Sequence, residues 1–191
     1  MEIRVAHRAQ ALPLTADDLD EFPSDGNRYE IIDGVLYVSA TPSRAHQRMV
    51  RALLRYLDAY AEALGFEVLF APVDVRMSPV TQVEPDLLVF PRAEANALET
   101  RWMPMSMLVL AVEVLSPSTA HVDRGRKREL YMGEGVAQYW IVDLEAYTVA
   151  VWTPGANVAA VLQADQVLQW QPVADVAPLV VELRALFDEL M

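Results

Sequence analysis

Two runs of this chain are apolar almost throughout, yet each carries a carboxylate, and that conflict restricts the available folds more than any other feature. Leu108-Val109-Leu110-Ala111-Val112-Glu113-Val114-Leu115 holds Glu113, and Val83-Glu84-Pro85-Asp86-Leu87-Leu88-Val89-Phe90 holds Asp86 behind Pro85, which marks a strand start or bulge. Consecutive apolar residues of this kind belong to strands covered on both faces. An ionised carboxylate there is costly unless it is paired or binds a cation. The two runs therefore predict the middle of a layered α/β sheet and two acidic side chains in need of partners.

The flanking sequence supplies the other layers. Thr15 is positioned to cap a short acidic helix over Ala16 to Glu21, which ends before Pro23. Arg28 to Ile32 and Val35 to Val38, joined by Asp33-Gly34, form an N-terminal β-hairpin with Glu30 on its first strand. From Arg44 to Leu64 the apolar spacing becomes helical, with Gly65 as the stop. Further strands are expected over Glu67 to Met77, Val83 to Phe90, Met107 to Leu115, Gln138 to Asp143, Tyr147 to Trp152 and, more weakly, Val158 to Trp170. A second helix is expected near Val122 to Gly133, and Leu179 to Leu190 is expected to end in an amphipathic turn or helix that uses Leu183, Leu186, Phe187 and Leu190. We read one domain: an extension over 1–27, a core over 28–153 and a strand and helix extension over 154–191.

Cysteine is absent, so a metal would have to be held by oxygen or imidazole. The opening MEIRVAHRAQALPL lacks the apolar segment of a signal peptide, and no later stretch reads as a membrane span, which points to the cytoplasm. A net charge of −12 argues against a general nucleic-acid-coating protein, although a local basic face stays possible.

Two carboxylates on adjacent strands could share a hard divalent cation, for which oxygen ligands are the natural choice. The plainer alternative is that each caps a loop or pairs with an arginine. Lys127 shares a helix face with Asp123, Leu130 and Tyr131, the face best suited to turn inward. A lysine brought to those carboxylates could orient or help deprotonate a water, or stabilise charge on a phosphate; the alternative is a solvated basic surface like that of Arg124, Arg126 and Arg128. His46 falls on the apolar side of the first long helix and reads as a hydrogen-bonded core histidine. Arg44, Arg48, Arg51 and Arg55 align on the opposite side, where they could follow a phosphate backbone, face solvent or meet a second copy.

These residues reach a resemblance. Tyr29-Glu30-Ile31-Ile32-Asp33-Gly34, Pro72-Val73-Asp74-Val75, Glu84-Pro85-Asp86-Leu87-Leu88-Val89, Glu113-Val114-Leu115-Ser116-Pro117-Ser118-Thr119 and Tyr139-Trp140-Ile141-Val142-Asp143 resemble the Uma-type putative restriction endonucleases of the PD-(D/E)XK nuclease superfamily. The resemblance implies a restriction-endonuclease-like core, a mixed central sheet flanked by helices, with Glu30 in the N-terminal acidic position. It implies that Asp86 and Glu113, with the Val114 carbonyl, hold Mg²⁺ or Mn²⁺. The third position of the Glu-X-Lys motif is Leu115 here, and Lys127 on the following helix fits a displaced lysine. A homodimer is expected from the same resemblance.

The leading expectation is a metal-dependent endonuclease acting on DNA, with Glu30, Asp86, Glu113 and Lys127 as its site. A catalytically silent nucleic-acid-binding or assembly module on the same fold is the rival, and action on another phosphate-bearing substrate the third reading. Convergence of those four side chains in one concavity is the geometric requirement common to any catalytic reading.

Overall fold

A computed structural model describes residues 13–190 of the chain. The leader reading, made on the first fourteen residues, lies almost wholly outside that range. A 3₁₀ helix over Ala16–Glu21, capped by Thr15, leads into the hairpin β1 (Arg28–Ile32) and β2 (Val35–Ser39). Its turn places Asp33 and Gly34 at φ of 52° and 75°. Such values suit the tight two-residue turn predicted there. A side chain at Gly34 would collide with Pro13.

Helix α1 (Arg44–Ala63) begins at Ser43, whose side chain accepts a hydrogen bond from the His46 amide at 3.2 Å. It stops at Gly65, φ 82°, where a left-handed residue closes the last turn. Then come β3 (Phe66–Phe70), β4 (Val75–Ser78), β5 (Thr81–Val83), β6 (Leu87–Pro91), the short α2 (Arg92–Ala95), β7 (Met103–Pro104) and β8 (Leu110–Val114). Two continuous strands expected from sequence are thus each divided. Pro72 separates β3 from β4, and Pro85 separates β5 from β6, because proline has no N–H to give a ladder. Each division moves the chain from one sheet to another.

The next helix is composite: α3 (Ala120–Val122), a π-helical turn over Asp123–Lys127, and α4 (Arg128–Gly133). Strands β9 (Gln138–Asp143), β10 (Thr148–Trp152), β11 (Ala160–Gln163), β12 (Val167–Trp170) and β13 (Leu179–Glu182) follow, and α5 (Leu183–Asp188) closes the described chain.

Among the described residues the central sheet has the order β11-β10-β9-β8-β6-β3, with β8 and β9 parallel and its other pairs antiparallel. A second sheet, β2-β1-β5-β4-β7, contains the hairpin, and β12 pairs with β13. The result is the expected mixed α/β architecture with helices against the sheet.

Strand alternation divides the core in two. Leu110, Val112 and Val114 of β8 join Leu87, Val89, Trp140 and Val142 in packing against α1 and α5. On the other face Ala111, Leu88, Phe90, Tyr139 and Ile141 pack against the second sheet and the composite helix. Glu113 shares the parity of Ala111, and Asp86 that of Leu88 and Phe90, so both belong to this second face. No helix of the described residues is long and apolar enough to cross a membrane.

Candidate active site

The strand register brings the two anomalous carboxylates together. Leu87 pairs with Val112 in the antiparallel β6–β8 ladder, so one further step sets Asp86 opposite Glu113. The Val114 amide donates to Asp86 Oδ2 at 2.8 Å and fixes this junction. Both acids are 2% exposed. Their apolar setting, read from sequence as a cost, is real.

Lys127 arrives from the composite helix. Its Nζ lies 2.9 Å from Glu113 Oε1, 2.8 Å from Glu30 Oε1 and 3.5 Å from Asp123 Oδ1. The π-helical turn spans Asp123 to Lys127, and both are buried at its two ends. Such a turn carries an extra residue and alters the direction of the side chains beyond it, a device frequent at functional sites. The Tyr139 hydroxyl donates to the Asp123 carbonyl at 3.0 Å and anchors the turn to β9. Glu30 is held from the other side, where the Glu84 amide donates to its Oε1 at 2.7 Å.

Asp86 has cationic and imidazole partners that the sequence reading did not assign. Arg28 donates to Oδ1 at 3.0 Å, and Nε2 of His46 is 3.0 Å from Oδ2. Arg28 precedes Glu30 by two residues on β1, so the period of a strand already placed the two on one face. His46 is buried and hydrogen-bonded as expected, and its partner is Asp86.

The electrostatics follow from burial. Glu30, Asp86, Glu113 and Asp123 are buried carboxylates, against one buried ammonium, Lys127, and the half-buried Arg28. Desolvation pushes Glu113 well above the usual carboxylate range in spite of the Lys127 charge. Burial also raises Asp123, again against Lys127. Asp86 goes the other way: burial opposes its charge, but the His46 hydrogen bond and Arg28 outweigh it and hold the acid at about 2. Burial opposes the Lys127 charge too, yet Glu113, Glu30 and Asp123 together hold it well above the ordinary lysine value. Lys127 is therefore a fixed cation.

Among the described residues no three His, Asp or Glu side chains are grouped as a ready metal cage. A hard divalent ion such as Mg²⁺ commonly takes only one or two carboxylates and completes its shell with water and substrate phosphate. Asp86 and Glu113 suit that demand: they are oxygen donors on adjacent strands in a region of excess negative charge. No hydrogen bond from the described residues falls on Glu113 Oε2.

All this opens into a cleft of about 880 Å³. Asp86, Glu113, Lys127, Asp123, Arg28 and His46 all line it. Glu30 sits directly behind, through its contact with Lys127. Three of the four residues singled out from sequence thus line one cleft, and the fourth, Glu30, joins them through Lys127. Leu115, at the motif position expected to hold lysine, lines the cleft with its side chain half-buried and donates its amide to the Val142 carbonyl at 2.9 Å.

The arginine stripe lies elsewhere. None of Arg44, Arg48, Arg51 and Arg55 lines the cleft. Arg48 donates to the Leu190 carbonyl at 2.9 Å, Arg55 pairs with Glu189, and Arg51 lies 4.0 Å from the same carboxylate. Three of the four thus hold the C-terminal residues against α1.

With this geometry in hand, comparison with known proteins is informative. The model of a family named Uma2 and described as "Putative restriction endonuclease" matches residues 16–185. No curated protein matches the chain. Among solved structures, a crystal structure titled as a putative nuclease belonging to DUF820, from Anabaena variabilis, superposes with a TM-score of 0.79 at 16% identity. The match covers 94% of this chain and 100% of that one. At that identity the likeness concerns the fold.

Proposed function

Because the chain belongs to the Uma2 family of putative restriction endonucleases, we propose that it is a divalent-metal-dependent endonuclease hydrolysing DNA phosphodiester bonds at Asp86, Glu113, Lys127 and Glu30. One observation carries the reading: Lys127 Nζ stands within 2.9 Å of both Glu30 and Glu113, beside Asp86 and at the floor of an open cleft. A buried cluster that served stability alone would have no need to face a cleft.

Asp86 and Glu113, with the Val114 carbonyl, are the residues that would hold Mg²⁺ or Mn²⁺. Such an ion supplies Lewis-acid polarisation of the phosphate and a lower pKa for bound water. The chain's own groups do the rest. Val114 N–H and His46 fix Asp86 Oδ2, leaving Oδ1 shared only with Arg28. Lys127 keeps its proton, so its role is to orient water and stabilise charge on the phosphate rather than to accept a proton. It also restrains Glu113 and Glu30 in one arrangement. Glu30 acts as an auxiliary carboxylate.

The test is cleavage of plasmid and single-stranded DNA with Mg²⁺ or Mn²⁺ by the wild type and by Glu113→Gln. Cleavage lost in the variant is expected; equal activity in both, or none under any condition, removes the enzymatic claim. The binding-module reading draws on one observation, that every Lys127 contact is already taken by a carboxylate. DNA retention by a wild type that cuts nothing would favour it.

A further inference from the structure

We propose that the cleft accepts an unpaired DNA strand and not an intact duplex; this rests on the nuclease reading and names its substrate class. The first observation is charge. Affinity for a duplex comes chiefly from lysine and arginine neutralising phosphates. The fixed cations lining the cleft are Arg28, Lys127 and Arg101, and each is already engaged by a carboxylate. Arg28 meets Asp86 at 3.0 Å and Glu84 at 3.7 Å. Lys127 meets Glu30 and Glu113, and Arg101 pairs with Asp20. The rim adds Asp74 and Glu145, so two closely spaced rows of phosphate would meet like charge.

The second observation is aromatic surface. Phe70 ends β3 with 55% of its surface exposed and lines the cleft. Its neighbour Ala71 donates its amide to the Asp86 carbonyl at 3.2 Å, and Phe70 itself pairs with Leu87. The Phe70 ring therefore stands at the strand end next to the carboxylates in register, but on the sheet face that Leu87 shares with α1. Phe22 and Tyr29 form a second platform in the same cleft, their rings 5.0 Å apart. Base stacking on aromatic rings is the sequence-tolerant means of holding unpaired strands, and it needs bases that are free of a helix. Ser116, Ser118 and Thr119 add uncharged hydroxyls to the same lining. The volume, about 880 Å³, lies in the range of pockets that enclose small ligands. It fits a few unstacked nucleotides.

The experiment has two parts. Fluorescence anisotropy measures binding of labelled oligodeoxythymidine, and of the same strand annealed to its complement, to Glu113→Gln in Mg²⁺. The single strand should bind at least tenfold more tightly, with a log–log salt slope below about two in magnitude, since few phosphates are neutralised. Phe70→Ala added to that protein should weaken single-strand binding roughly tenfold, and Phe70→Trp should preserve it. Equal or tighter duplex binding, or an unchanged affinity in Phe70→Ala, overturns the proposal.

Wild-type cleavage of a duplex with a single-stranded flap provides the second readout, independent of how well the Glu113 variant folds. Cuts confined to the flap are expected, and cuts within the paired region overturn the proposal while leaving the nuclease reading intact. Flap binding with no cuts anywhere sinks the nuclease reading and upholds the strand preference.

Discussion

Lys127 Nζ lies 2.9 Å from Glu113 Oε1, although one residue belongs to a helix and the other to the centre of a sheet. Both are 2% exposed, so neither has water to replace a lost partner. Removing one member of a buried pair typically costs about 3–5 kcal/mol, because the other is left charged and dry. Lys127→Met should therefore unfold in urea with a loss of that order near neutral pH. Adding Glu113→Gln to it should recover part of the loss, and an additive double variant would show the two not to be coupled.

Metal binding should be visible apart from catalysis. A cation that binds only the folded state raises the melting temperature with its concentration. Mg²⁺ or Mn²⁺ is expected to do so for the wild type and to have no such effect on Asp86→Asn or Glu113→Gln. Burial raises the Glu113 pKa well above the usual carboxylate range, so a cation that binds its carboxylate competes with a proton. Metal affinity should consequently rise with pH in a calorimetric titration.

Glu84 gives a pH signature of its own. Burial raises its pKa to about 7, against the pull of Arg28. A carboxylate with a raised folded pKa contributes most stability below its unfolded value, and that contribution declines as pH rises toward the folded one. Stability of the metal-free protein should fall between about pH 4.5 and 7. The Glu84 contribution to that fall is on the order of 3 kcal/mol. Glu84→Gln should flatten the profile in denaturant titrations across that window; an unchanged slope assigns the effect elsewhere.

His46 positions Asp86 through a 3.0 Å contact without lining up as a third acid. Loss of such an orienting partner typically lowers metal affinity or activity by about 10–100-fold. His46→Ala should show that loss in Mn²⁺ binding as well as in cleavage, whereas His46→Asn, able to donate at the same place, should recover part of both.

The stripe on α1 makes a contrasting case. Arg51 and Arg55 are exposed partners of Glu189, and exposed pairs contribute at most about 1 kcal/mol. Arg51→Ala and Arg55→Ala should change urea stability by no more than that and leave DNA affinity as it was. A marked loss of DNA binding would return the stripe to the role first read for it.

How far the sequence spoke can be followed residue by residue. Glu113 and Asp86 were legible because a charge among apolar neighbours violates the ordinary cost of burial. Glu30 was placed by the hairpin turn, and Lys127 by helical spacing together with the resemblance. Pro85 reads from sequence as a strand start or bulge, and β6 does begin just beyond it; the division at Pro72 was missed, because continuity of apolar residues weighs more heavily in such a reading than one absent N–H. The Arg28 and His46 contacts to Asp86 depend on sheet order and on the packing of α1, which spacing along a chain does not encode. The same holds for the arginine stripe: its alignment was correct, but its partner, the C-terminal segment, is distant in sequence.

The π-helical turn between Asp123 and Lys127 gives the site a dependence on chain length as well as on residue identity. A regular helix advances by about 100° per residue. Deleting one residue from the turn would therefore swing the lysine about a quarter-turn away from Glu113 with every acidic side chain still present. Relatives could thus lose function through a one-codon deletion that leaves all the recognisable acidic motifs untouched.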